Sequence, residues 1–247
     1  MRKIINLSIQ EIKPDRTDVF ISQGVKPEVK LPARMTTLYD SSLETFRKQV
    51  DPIGIFSEIS ISEFNRIYQG NGMNEKDTPI EHIFPNADNL ALFAFTLGEK
   101  ISQTISSLFK SKDYANGYML DSIASVSVDK AAGIAENYFL NFLSGKGQTN
   151  ESTVVLIYSP GFCGWHISSQ KKLIEYLKPE DIGIVLNKQF LMIPLKSISG
   201  ALIAGKKKIH HFKNTFPFCD QCQTHNCRER INSLRKQKRS KQYGDKT

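Results

Sequence analysis

The middle of the chain reads as helix and both flanks read as strand, and that order limits the fold more than any other feature. Ile101, Ile105, Leu108 and Phe109 are spaced by four, three and one residues, which places them on one helix face. Leu120, Ile123, Ala124, Ala131, Ile134, Ala135, Tyr138 and Phe142 continue that spacing, so one long helix or a kinked pair spans the region. Upstream, residues 52–61 carry β-branched residues in a strand pattern. Downstream, Val154 to Tyr158, Ile182 to Leu186, Leu191 to Ile193 and Ala201 to Ala204 read as short strands. Strands on both sides of a helical centre predict an α+β fold and not alternating βαβ units.

The remaining segments are less constrained. Leu90 to Leu97 is an apolar run closed by Gly98; periodicity leaves it as a buried strand or a helix start. Residues 1–30 alternate loosely and suit short strands and turns. Ser62 is placed to cap a short helix through Tyr68, and Gln69 to Pro79 reads as a loop. Gly145 to Thr153 is a polar connection. Ser168 or Ser169 is placed to cap a short helix that ends near Leu177, before Pro179.

Length and composition set outer bounds. At 247 residues, 40% hydrophobic and 23% charged, the chain can bury a large core as one or two domains. No apolar run approaches the roughly 18–20 residues that span a bilayer. Arg2-Lys3 is followed by Ile4 to Ile9, but Asn6 and Ser8 interrupt that run and Glu11 to Lys13 end it. No secretory signal or membrane partner follows, and the expected address is cytoplasmic. Residues 228–247 hold eight Lys/Arg against two Asp/Glu, so this segment carries +6 of the net +8. The body before it is nearly neutral, which argues against a broad nucleic-acid face.

The densest chemistry is in Tyr158-Ser-Pro-Gly-Phe-Cys-Gly-Trp165. Two glycines and a proline favour a sharp turn that exposes backbone N–H groups beside Tyr158, Phe162 and Trp165. That suits a ligand with an aromatic ring, a cation and a carboxylate. The same residues also suit a strand-to-helix turn whose aromatics cap the core. Cys163 is a candidate nucleophile only with an activating base or cation; a small packing residue in the turn is the simpler reading. A second segment, Lys196-Ser-Ile-Ser-Gly200, can hold an anion or satisfy turn backbone. Asp121 and Glu136 sit in the helical pattern as face or cap charges. His210-His211 follow Lys206-Lys-Lys208 as a solvated basic strand.

In order and separation, these segments resemble the reactivation domain of cobalamin-dependent methionine synthase. That family carries Arg-Pro-x-Pro-Gly-Tyr-Pro-Ala-Cys, then Leu-Thr-Glu-Ser, Met-x-Pro and Ser-Val-Ser-Gly. This chain has Pro160-Gly161-Phe162, then Leu186, Met192-Ile-Pro194 and Ser197-Ile-Ser199-Gly200. Standalone relatives also resemble Leu92-Phe-Ala-Phe-Thr-Leu-Gly98, Leu120-Asp121-Ser-Ile-Ala, the Pro-Gly-Phe-Cys-Gly-Trp turn and a C-terminal cysteine cluster. The resemblance covers roughly residues 50–230. It implies an α+β domain over 1–215 with a mixed antiparallel sheet and a helical middle. It also implies binding of S-adenosylmethionine (AdoMet) and remethylation of a cobalamin held by a partner corrinoid protein, with a flavodoxin- or ferredoxin-like electron donor. The chain is then part of a methyltransferase system and incomplete without that partner. Carried onto this sequence, the AdoMet-binding residues are Tyr158, Pro160, Gly161, Phe162, Cys163, Gly164, Trp165, Lys188, Ser197, Ser199 and Gly200. The departures are specific. The family arginine falls at Ile157, the tyrosine after Pro-Gly at Phe162, the glutamate at Lys188, and a later tyrosine at Leu202. An arginine is the bidentate partner of a carboxylate. Backbone N–H groups around Gly161 to Gly164, or Lys188, are the substitutes in this chain.

Residues 216–227 contain Cys219-x2-Cys222-x2-His225-x-Cys227. A Cys-x2-Cys pair puts two thiolates on one tight turn, which suits a metal. Three cysteines and a histidine fit zinc by count, and an iron–sulfur cluster is the redox alternative; free thiols on a surface turn are the remaining reading. The 228–247 segment reads as a solvated basic tail. A ligand-free docking or electron-relay protein of a corrinoid system, working through the cysteine cluster, is the competing function. A nucleic-acid binder built from knuckle and tail is weaker, because the body is nearly neutral.

Overall fold

The computed structural model describes residues 2–210. The strands are β1 (Arg2–Asn6), β2 (Ile53–Ile59), β3 (Asn89–Thr96), β4 (Thr153–Tyr158), β5 (Val185–Leu186), β6 (Met192–Ile193) and β7 (Ser197–Lys206). The helices are α1 (Ile9–Ile12), α2 (Arg16–Ser22), α3 (Ala33–Gln49), α4 (Ile61–Gln69), α5 (Pro79–Ile83), α6 (Glu99–Lys110), α7 (Tyr114–Gly145) and α8 (Gln170–Leu177). Five strands form one sheet in the order β1-β2-β3-β7-β4, with every neighbouring pair antiparallel. The strands β5 and β6 form a separate hairpin. The architecture is α+β.

Both faces of the sheet are covered. Phe56, Phe93, Phe95, Val155, Ile157 and Leu202 join a core built with α3, α6 and α7. Their strand neighbours Ile55, Leu90, Leu92, Leu156, Tyr158 and Ile203 join a second core with Phe64, Tyr68, Trp165 and Leu173. Side chains alternate across a strand, so a doubly covered strand must be apolar on both faces. That settles Leu90 to Leu97 as strand β3. Each large apolar side chain buried this way contributes about 1.5–3 kcal/mol.

The helical middle is α6 followed by one unbroken 32-residue α7. Its central residues Ser122, Ala124, Ser127, Ala131, Ala132 and Ala135 are buried and small, so the sheet and α3 can approach closely. No described helix is long and apolar enough to cross a membrane.

Several local expectations are corrected. Residues 1–30 hold one strand and two helices; Ser8 and Glu11 form a capping box that starts α1. Helix α3 carries Leu38, Tyr39, Leu43 and Phe46 towards the core. The cap of α4 is Ser60, which accepts from the Glu63 N–H while the Glu63 carboxylate accepts from the Ser60 N–H. The Ser60 hydroxyl, donating to the Glu63 carboxylate at 2.7 Å, and then the Ser60 N–H hold that carboxyl below its ordinary range. Strand β7 is longer than Ala201 to Ala204, because it pairs on both edges, with β3 and β4. His210 is buried in a 3-10 turn with its ring stacked on Tyr158, not on a solvated strand. Residues 216–247, with the cysteine cluster and basic tail, lie outside the described residues.

Candidate functional site

Strand β7 comes last in sequence among the described strands but sits between β3 and β4. Tyr158, the end of β4, is therefore opposite Ala201, and the chain leaving β4 runs beside Ser197 to Gly200. The two candidate segments, about forty residues apart in sequence, become neighbours at one end of the sheet. Gly200 is essential to that approach. A Cβ there would lie 2.6 Å from the Tyr158 carbonyl oxygen and 2.7 Å from Ser159 Oγ. Any side chain would push the loop off the strand.

The Tyr158–Trp165 segment is a tight turn. The Gly161 N–H donates to the Trp165 carbonyl at 2.7 Å, the Phe162 N–H to Ser159 at 3.2 Å, and the Trp165 N–H to Phe162 at 3.0 Å. Gly161, Cys163 and Gly164 adopt positive φ of 90°, 53° and 75°, a region that glycine enters without a Cβ penalty. The turn thus uses most of its own N–H groups to close itself. Gly164 keeps an N–H that donates to no described residue, while its carbonyl accepts from the Glu75 N–H at 3.0 Å.

The three aromatics diverge. Trp165 is 1% exposed and packs edge-on against Phe64, with ring centroids 5.7 Å apart, and beside Tyr68 at 5.8 Å. Tyr158 is buried, and its hydroxyl lies 3.1 Å from His210 Nδ1. Phe162 alone presents its ring to solvent, at 43% exposure. Two of the three aromatics cap the core, and the third is available to a ligand. Pro160 is buried and Cys163 partly buried, packed against the second core.

The substitutes for the family arginine stand apart. Ile157 is buried facing α7, and its N–H donates to Glu136 Oε1 at 2.9 Å. Among the described strands β4 lies at the edge of the sheet, and Glu136 accepts from one of its outward backbone donors. Lys188 is exposed at the tip of the β5–β6 hairpin and makes no hydrogen bond or ion pair with a described residue. Asn187 closes that tip by accepting from the Gln189 and Leu191 N–H groups. Lys196 is committed elsewhere: it pairs with Asp121 at 2.8 Å and donates to Ser125 at 2.8 Å, fastening the start of β7 to α7. Ser197 Oγ donates to the Pro194 carbonyl at 2.7 Å.

Polar groups beside the turn, some buried and some partly buried, bond to one another. Gln170 Nε2 donates to Ser199 Oγ at 2.8 Å. His166 Nδ1 accepts from the Ser168 N–H at 3.2 Å, and Asn74 Oδ1 accepts from the His166 N–H at 2.9 Å. Gln170 and Asn74 escaped the sequence reading. Neither belongs to a motif, and their partners lie 29 and 92 residues away. A shallow cavity of 330 Å³ adjoins the Asn74–Glu75 side of the turn, lined also by Gln69, Gly72, Asp77 and Glu81. No group of acidic, histidine or cysteine side chains among the described residues is arranged to hold a metal. Cys219, Cys222, His225 and Cys227 lie outside those residues.

No family model matches the chain, and no curated protein matches it. Solved structures do. A crystal structure of the MetH reactivation domain bound to AdoHcy superposes with a TM-score of 0.58 at 14% sequence identity, over 87% of this chain and 80% of that one. At that identity the likeness concerns architecture alone: the fold of this chain is similar to that of the MetH reactivation domain.

Proposed function

We propose that this chain is an activation module for a corrinoid-dependent methyltransferase of the methionine synthase type, and that it binds AdoMet where β4 ends and β7 begins. The observation that carries the reading is the meeting of the Pro160–Trp165 turn with Ser197–Gly200 inside this fold. The structural neighbour holds AdoHcy, the product left when AdoMet gives up its methyl group. Exposed Phe162 offers a ring face to the adenine or the sulfonium, and the Gly164 N–H offers a donor to a carboxylate. The methyl carbon leaves the sulfonium for a cobalt nucleophile in a partner protein, and sulfur keeps the bonding pair. The protein's task is positioning; the corrin supplies the reactive metal. Exposed Ile193 and Leu195, just ahead of β7, give the same end of the sheet apolar surface for that partner.

Calorimetric titration of the full chain with AdoMet, under reducing and anaerobic conditions, tests the reading. Binding that weakens in Phe162→Ala supports it, and no heat at millimolar AdoMet contradicts it.

One observation favours a second reading. The position of the family arginine is held by Ile157, which is buried in the core, and Lys188 is carried by the β5–β6 hairpin. A docking or electron-relay protein of the corrinoid system, using a zinc or iron–sulfur centre at Cys219, Cys222, His225 and Cys227, needs no AdoMet site. Visible absorbance near about 400 nm from the anaerobic protein would favour this reading.

A further inference from the structure

We propose that Gln170 is the positioning residue of this site: by donating to Ser199 Oγ, its amide holds the Phe162 loop in register with the Ser197–Gly200 segment. The inference rests on the AdoMet reading and names the part of the chain that would set the site's geometry.

Gln170 is the first residue of α8 and follows the 3-10 turn Ile167–Ser169 directly. It ends the loop that begins at Ser159. Its amide is 4% exposed and Ser199 is 3% exposed, so the 2.8 Å bond between them is shielded from water. A buried amide is costly unless bonded, and an apolar side chain would fill the space without that demand. The bond therefore does something that packing alone does not. The rest of the loop is tied on its other side. Gly164 accepts from the Glu75 N–H, and His166 donates to Asn74. Those contacts fix the loop against the segment after α4. Its start is held on β7 by the Tyr158–Ala201 pairing and the close approach to Gly200, and Gln170 ties its end to the same strand. The amide NH2 donates to Ser199 Oγ, and the serine hydroxyl keeps a proton of its own. A side chain with a polar end can therefore keep a bond here, and one with neither donor nor acceptor cannot.

The test uses AdoMet titrations of the full chain across a pH series, with thermal unfolding of each variant alongside. Gln170→Leu and Ser199→Ala should each weaken AdoMet binding by about tenfold, and the double variant by no more than either alone. Gln170→Glu keeps the length of the side chain and can bond Ser199 in either protonation state, donating when protonated and accepting the Ser199 hydroxyl proton when ionised. Burial raises a carboxyl pKa, so at acidic pH its affinity should recover most of what Gln170→Leu loses. A role in packing alone would leave Gln170→Glu no better than Gln170→Leu, because both fill the space and only one can bond. Gln170→Leu binding AdoMet as wild type does, or Gln170→Glu no better than Gln170→Leu at acidic pH, overturns this proposal alone. Wild-type protein that binds no AdoMet overturns the reading beneath it, and this proposal with it.

Discussion

Two residues of one turn illustrate how environment assigns roles. Phe162 and Trp165 are three positions apart and both aromatic, yet one is in solvent and the other in the core. Trp165→Ala should cost about 3–5 kcal/mol, because the indole fills the space between Phe64 and Tyr68; chemical denaturation measures this. Phe162→Ala should leave stability within about 0.5 kcal/mol of wild type and should weaken AdoMet binding. The two variants together separate folding from recognition. Lys196 makes a further residue-scale case. Its ammonium is largely buried and bonded to Asp121 and Ser125. Lys196→Met should destabilise by about 1.5–3 kcal/mol, and adding Asp121→Asn should cost much less than Asp121→Asn does alone.

At the scale of elements, glycine and cap residues show where local sequence was enough and where it was not. Gly54 lies opposite Phe95 in the sheet, and a Cβ there would fall 1.9 Å from the ring. Gly54→Ala should therefore destabilise strongly, and Phe95→Leu should recover part of the loss by removing the ring; thermal unfolding of the pair checks this. Ser60→Ala should cost about 1 kcal/mol by removing the α4 cap. Glu63 belongs to the same cap, and its carboxyl is held low by Ser60. Its contribution is present above the ordinary carboxylate range and is lost as pH falls through the lowered value. The difference in stability between wild type and Ser60→Ala should therefore shrink in acid. The long α7 and the strand β4 were legible because their apolar spacing is regular. Helix α3 was missed although Leu38, Tyr39, Leu43 and Phe46 have helical spacing; a buried Ser42 breaks the stripe, and Pro32 gives no side-chain cap. The β5–β6 hairpin was legible only as two short apolar runs. The pairing of β7 with β4, which builds the candidate site, depends on chain order in the sheet, and no local pattern encodes it.

At the scale of the molecule, the five-stranded antiparallel sheet carries a helical layer on each face, and β7, the last of the described strands, enters between two earlier ones. That insertion brings the Pro160–Trp165 turn beside Ser197–Gly200, and the buried Gln170–Ser199 bond ties the end of that loop to β7. The fold alone does not make the site functional, since Ile157 and Lys188 stand where other chemistry would be expected. The central claim is that this end of the sheet still binds AdoMet. Calorimetric titration of the reduced, anaerobic full chain with AdoMet tests it most directly. The account predicts saturable micromolar binding that weakens in Phe162→Ala, and no heat of binding at millimolar AdoMet would contradict it.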